Sequence, residues 1–105
     1  MNAVKREILP ATWEAKYSFS PAVLTQDGKV VWLAGQVGFV DDNHQPLAGD
    51  FDAQVRQTFR NIQRVLDKAG GALKDIVSMT VYIVAAGFAL PEIMVEVTAY
   101  AVVDN

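Results

Sequence analysis

Glu96 is the residue whose surroundings point most directly to chemistry in this chain of 105 residues. It lies within the run Met94-Val95-Glu96-Val97, where its neighbours are all apolar. A carboxyl group buried in such a run can act as a general acid or base, or can orient a water molecule. The alternative is a carboxylate on a strand surface that faces solvent or another subunit.

Few other side chains combine into a recognisable site. His44 stands near Asp41 and Asp42 in a polar loop, but the chain has no second histidine and no cysteine to complete a zinc site. The absence of cysteine also excludes disulfides and thiolate nucleophiles. Phosphate-binding loops and nucleophile triads are missing as well. The sequence therefore contains no recognisable metal, phosphate-binding or nucleophile motif.

Three arginines, Arg56, Arg60 and Arg64, recur at a spacing of four residues along one predicted helix face. An anion site is one interpretation of this row, and a solvated helix face is the favoured one. The chain has 9 basic and 12 acidic side chains, with a formal charge of -3. This balance argues against a nucleic-acid partner, which requires clustered positive charge.

The candidate residues must be positioned by five strands and one helix. Alternating or β-branched patterns predict strands at residues 4–9, 18–25, 29–40, 76–84 and 93–103. Asp27-Gly28 is typical of a two-residue hairpin turn, and the 29–40 strand, apolar on both faces, is predicted to lie centrally in its sheet. Residues 51–69 repeat apolar side chains at helical spacing, with Asp50 as N-cap and Gly70-Gly71 at the end. The order β-β-β-α-β-β predicts an α+β fold with one helix covering the sheet.

Length and composition predict one domain spanning residues 1–105. The hydrophobic fraction of 51% is enough for a core, although a chain this short gains from self-association. Apolar stretches are interrupted well before the roughly 20 residues that a membrane span needs. The first ten residues lack the apolar core of a signal peptide, so we expect a cytoplasmic protein without a membrane partner.

Seven segments stand in a characteristic order: residues 17–23, 31–38, 52–62, 70–71, 75–77, 80–83 and 94–102. They include Tyr17-Ser18-Phe19-Ser20-Pro21, Trp32-Leu33-Ala34-Gly35-Gln36 and Met94-Val95-Glu96-Val97. Taken together, they resemble the Rid (YjgF) family of enamine/imine deaminases, also known as the L-PSP endoribonuclease family. The resemblance covers nearly the whole chain. It implies a chorismate-mutase-like fold, a homotrimer with ligand sites between subunits, and hydrolysis of 2-aminoacrylate-type intermediates to 2-keto acids and ammonia without a cofactor.

The resemblance also implies roles for individual residues. Glu96 matches the family's pocket glutamate and would be catalytic. Tyr17, Phe19, Ala34 and Gly35 would contact the substrate, a small 2-imino or 2-keto acid. Phe19 stands where the family has a tyrosine, and Ala34 stands where it has a serine. Aromatic packing is the alternative for Phe19, and a strand bulge is the alternative for Gly35.

The chain departs from the family most clearly after residue 84. The family places a second helix and a further strand there, so about 25 residues are absent by the usual lengths of such elements. The gap removes the arginine that grips the substrate carboxylate, a role suited to a planar guanidinium. Strands 76–84 and 93–103 are then expected to pair directly, and Val77, Val81 and Ile83 to lack a covering helix.

Three interpretations of function follow. The chain is an enamine/imine hydrolase that uses Glu96, or a non-catalytic module that binds a small metabolite or a protein. The third is a shortened variant of the fold that depends on a partner subunit to cover its sheet.

Overall fold

The computed structural model describes residues 3–8, 22–83 and 92–105. Its strands are β1 (Lys5–Ile8), β2 (Val23–Gln26), β3 (Lys29–Gln36), β4 (Ile76–Ile83) and β5 (Val95–Val103). The helix α1 (Phe51–Lys68) lies between β3 and β4, and a 3-10 turn (Leu73–Asp75) leads into β4. The predicted α+β class and the order β-β-β-α-β-β are confirmed.

The main sheet is antiparallel, with β5 between β3 and β4. The predicted direct pairing of the last two strands is confirmed. Among the described strands β3 lies at one side of this sheet, but residues 9–21 lie outside the described residues, so the predicted central position of the 29–40 strand stays a prediction. Trp32 of β3 points away from α1 and is 73% exposed.

Asp27 and Gly28 have φ angles of 65° and 86°, as the turn prediction requires. The hairpin itself is not formed, because β2 pairs with β1 whereas β3 pairs with β5. The chain therefore turns a corner between two sheets. Arg6 joins the small sheet to the large one, since its guanidinium donates to the Val102 carbonyl at 2.8 Å and to Asp75 at 2.9 Å.

Helix α1 begins as the sequence predicts, with the Asp50 carboxylate accepting from the Ala53 N–H at 3.0 Å. Ile62 and Leu66 are fully buried against β3 and β5. The first half of the buried face differs from the predicted apolar stripe, because it is formed by polar residues (Gln54, Gln57 and Thr58), while Phe51 is exposed.

The core lies between α1 and the middle of the sheet. Its buried members are Leu33, Ile62, Leu66, Val95, Val97, Ala99 and Ala101. The helix does not cover β4, whose side chains on the helix side of the sheet stay half exposed: Met79, Val81 and Ile83. The expected exposure of Val81 and Ile83 is confirmed, whereas Val77 is partly buried.

Candidate functional site

Glu96 is the second residue of β5 and points away from the helix. Its chain neighbours Val95 and Val97 are buried in the core, so the period of two along a strand turns Glu96 to the opposite face. We call this the uncovered face, because no helix of the described residues lies on it. There it is partly buried and stands directly across from Tyr82 of β4. The uncovered face of this sheet is the candidate site.

Gly35 lies directly beneath the Glu96 side chain. The register between β3 and β5 shifts between Leu33 and Gln36, which is a β-bulge that includes Ala34 and Gly35. A methyl group placed on Gly35 would lie 2.8 Å from Glu96 Oε1 and 2.9 Å from Cδ. The bulge that the sequence offered as the alternative for this glycine is present, whereas its predicted contact with a ligand stays a prediction. The missing side chain leaves room for the carboxyl group.

Ala34 is the other residue of the bulge and is exposed. Its carbonyl oxygen accepts a hydrogen bond from Gln36 Nε2 at 3.1 Å. Its methyl group offers no hydrogen bond to a ligand, unlike the serine that the family resemblance implies. Tyr17 and Phe19, the other two expected contacts, lie outside the described residues.

The same face carries groups that the sequence did not single out. Thr80 pairs with Thr98 beside Glu96, and Trp32 stands opposite Tyr100, their rings meeting edge to face at 5.0 Å. Alternation along each strand places these residues on one face. Only the cross-strand register shows which of them are neighbours, and one sequence does not supply it.

Gln54 fixes the entry into β5 from the other side of the sheet. Its fully buried amide donates to the Leu47 carbonyl at 2.9 Å and to the Glu92 carbonyl at 3.1 Å, and accepts from the Met94 N–H at 3.0 Å. The loop before α1, the helix and the start of β5 are thus joined two residues before Glu96. The sequence could have indicated this role, because Gln54 precedes Thr58 by four residues and Ile62 by eight. This spacing places it on the helix face that packs against the core.

A second polar cluster connects α1 to the loop after β3. Arg64 donates to Asp42 at 2.7 Å, and Gln57 donates to the same carboxylate at 2.9 Å. The hydrogen bonds from Arg64 and then Gln57 lower the pKa of Asp42 from 3.8 to about 2. With Arg60 3.8 Å away, the arginine row is partly paired with this carboxylate rather than only solvated.

This cluster borders a groove of about 310 Å³ that also includes His44, Val40 and Asn61. Within residues 3–8, 22–83 and 92–105, no three His, Asp or Glu side chains are grouped so that they could hold a metal ion. The α-helix of the described residues does not combine the length and the apolar character that crossing a membrane requires.

The fold and the site define a small α+β domain, with one helix on one face of an antiparallel sheet and a carboxylate on the other. The family model described as endoribonuclease L-PSP matches residues 10–97, so the chain belongs to this family, the Rid (YjgF) family. The recognition made from the sequence is confirmed.

Solved structures of the family share the fold. The Rid family protein YyfB from Yersinia pestis, described as of unknown function, superposes with a TM-score of 0.78 at 24% identity, over 93% of this chain and 98% of that one. A YjgF/YER057c/UK114 family member from Mycobacterium tuberculosis gives 0.58 at 23% identity, over 94% of this chain and 100% of the other. Identities this low show the fold alone.

A RutC family protein of Pyrococcus abyssi is 32% identical over 56 residues, which are 53% of this chain and 44% of that protein. The chain thus matches less than half the length of this curated relative. Activity, substrate and assembly are therefore matters of proposal.

Proposed function

We propose that this chain is an enamine/imine deaminase-like hydrolase that converts 2-aminoacrylate-type intermediates to 2-keto acids and ammonia. The observation that carries the proposal is the partly buried Glu96 carboxyl group against the backbone of Gly35. Tyr17, Phe19, Ala34 and Gly35 are the proposed substrate contacts. Cytoplasmic location belongs to the same proposal.

In the proposed reaction, the enamine first tautomerises to the imine, as its methylene carbon gains a proton and its nitrogen loses one. Water then adds to the carbon of the C=N bond, and Glu96 passes a proton from this water to the nitrogen. The C–N bond breaks as Glu96 passes the remaining hydroxyl proton to the departing nitrogen, which leaves a C=O group and ammonia. Water supplies the new oxygen, so no oxidant or reductant takes part. The close approach at Gly35 restricts where the carboxyl group can sit, which is what positioning a water molecule requires.

The substrate carboxylate needs a cationic partner. Among the described arginines, Arg6 is bound to Asp75, and Arg60 and Arg64 face Asp42. Arg56 is exposed on α1, across the sheet from Glu96. We therefore propose that the site is completed between subunits of a homotrimer, in which the uncovered faces of the sheets meet. The exposed Trp32 and Tyr100 support contact at this face.

The test is formation of 2-keto acid from 2-aminoacrylate generated enzymatically in the assay. We expect a rate above the buffer-catalysed reaction, and a loss of about 100-fold or more in Glu96→Gln, the range for a lost general acid/base. Glu92→Gln is the matched control, because Glu92 is an exposed glutamate of the same segment. No rate above buffer, or an undiminished rate in Glu96→Gln, contradicts the proposal.

The alternative is a non-catalytic module that binds a small metabolite or a protein partner. It is favoured by Ala34, which has no hydroxyl group, and by the absence of the carboxylate-binding arginine that the family resemblance implies. Thermal-shift measurements with 2-keto acids and indole-like ligands test it, because a ligand that binds only the native state must raise the melting temperature. Binding without turnover would favour this alternative, and no stabilisation by any of these ligands would count against it.

A further inference from the structure

Strand β4 presents one edge to β5, and within the described part of the chain no strand pairs with its other edge. Its eight residues, Ile76–Ile83, contain no charge and no proline. They begin the longest uncharged run of the sequence, residues 76–91. Free strand edges are usually protected by charges, proline or distortion, because their open N–H and C=O groups pair readily with another strand.

The same strand also exposes apolar side chains next to that edge. Met79, Val81 and Ile83 point to the helix side of the sheet and are 47%, 44% and 57% exposed. Residues two apart share a face, so the three form a row along the strand. An open edge and an exposed apolar row on one strand form a surface that another strand can complete.

We propose that this edge pairs with β4 of a second copy, antiparallel about a two-fold axis perpendicular to the sheet and centred on Val81. Met79 then faces the partner subunit's Ile83, Val81 faces the partner subunit's Val81, and Thr80 faces the partner subunit's Tyr82. This two-fold axis places the helix-covered faces of the two sheets on the same side of the combined sheet. The six half-exposed apolar side chains, three from each copy, therefore meet on one face.

The bulge in β4 determines where the pairing is centred. The register with β5 shifts between Ile76 and Ser78, and from Ser78 to Ile83 the ladder is regular. Pairing residues 79–83 with themselves uses only this regular part. A centre at Thr80 would instead bring Ile83 against the distorted position of Val77.

The composition of β4, uncharged and self-complementary, favours a second copy as the occupant. Two copies that each have a formal charge of -3 repel one another over most of their surfaces. The uncharged strand is where they can approach without like charges meeting. Its residues are also self-complementary, since apolar side chains face apolar ones across the proposed axis on the helix side.

The absence of cysteine makes the pairing directly testable. Facing residues of an antiparallel pair have Cα atoms about 4.5 to 5.5 Å apart, within the range of about 4.4 to 6.8 Å that a disulfide spans. Under mild oxidation, we expect Val81→Cys to form a covalent dimer of the full chain. Val65→Cys, a 39% exposed valine on α1, is the control and should stay largely uncrosslinked. Equal crosslinking of the two variants, or none at Val81, overturns the proposal.

A charge placed at the axis gives a second test. Val81→Lys sets two like charges against each other across the axis, whereas in a single copy the ammonium group reaches solvent. We expect its mass by light scattering to be half that of the wild type, with Val65→Lys unchanged. A wild-type mass retained in Val81→Lys overturns the pairing. If the lysine variant does not fold, the crosslinking experiment alone tests the pairing. Neither experiment depends on deaminase activity.

Discussion

Glu96 and Gly35 form the smallest unit of the candidate site. A methyl group on Gly35 would press on the end of the Glu96 side chain, which can rotate away. Gly38 is a different case, because a methyl group there would lie 2.5 Å from the backbone nitrogen of Thr58 inside α1. A substitution at Gly35 should therefore displace the Glu96 carboxyl group, whereas a substitution at Gly38 should disturb the packing of α1 on the sheet.

We predict that Gly35→Ala lowers any Glu96-dependent activity while changing the free energy of unfolding by less than about 1 kcal/mol. Gly38→Ala should destabilise by about 1 to 3 kcal/mol, the usual cost of overpacking against atoms that cannot move. Urea denaturation and the 2-keto acid assay measure the two effects. A large loss of stability in Gly35→Ala would show that Glu96 is fixed more tightly than a flexible side chain should be.

Asp42 should make stability depend on pH in the acid range. Its pKa is held at about 2, below the ordinary 3.8, by hydrogen bonds from Arg64 and Gln57. A depressed carboxyl pKa gives stability that is fully present above pH 3.8 and is lost as the pH falls towards 2. We predict that Asp42→Asn melts at a lower temperature near neutral pH and loses less on acidification. Melting curves from pH 5 to about pH 2, with Asp67→Asn as the exposed control on α1, test this. The same decrease of melting temperature with falling pH in wild type and Asp42→Asn would contradict this prediction.

At the scale of elements, Gln54 holds three separate segments together. Replacing it with leucine keeps a similar volume but leaves the Leu47 and Glu92 carbonyls and the Met94 N–H without their partner. We predict a loss of about 2 kcal/mol or more, because unpaired buried polar groups each cost about 1 to 3 kcal/mol. Gln63→Leu, the same change at an exposed position of α1, should be nearly neutral in the same denaturation experiment. A neutral Gln54→Leu would mean that water replaces the amide.

The elements were predictable because each has a local cause. Asp50 caps the helix, glycines follow it, and β-branched runs form β4 and β5. The position of β5 between β3 and β4 was not predictable from pattern. Apolar residues such as Trp32 and Val30 show that a strand face is apolar, but they do not show which strands pair. Glu96 could be singled out by its apolar neighbours. Its contact with Gly35 depends on a bulge whose register involves residues about sixty positions apart.

At the scale of the whole molecule, the sheet formed by the described residues has an uncovered face as well as an edge of β4 with which no described strand pairs. Trp32, Tyr100, Tyr82 and Val30 are the exposed large side chains on that face. We predict that the wild-type mass is a multiple of three chains, and that Trp32→Glu lowers it because a carboxylate would be buried at the contact. Val65→Glu is the control on the helix surface. A wild-type mass that is not a multiple of three chains would contradict the homotrimer, and a Trp32→Glu mass equal to that of wild type would show that this face is not the contact.

The central position of β5 has a consequence for how the chain is made. Both of its neighbours, β3 and β4, leave the ribosome before it does, and neither has its partner until residues 95–103 follow. The main sheet therefore closes only after synthesis of this segment, and the pairing of β3 with β5 joins residues far apart in the sequence, which is slow to form. Until then Gly35 has no contact with Glu96. The candidate site therefore forms in the same step in which β5 pairs with β3.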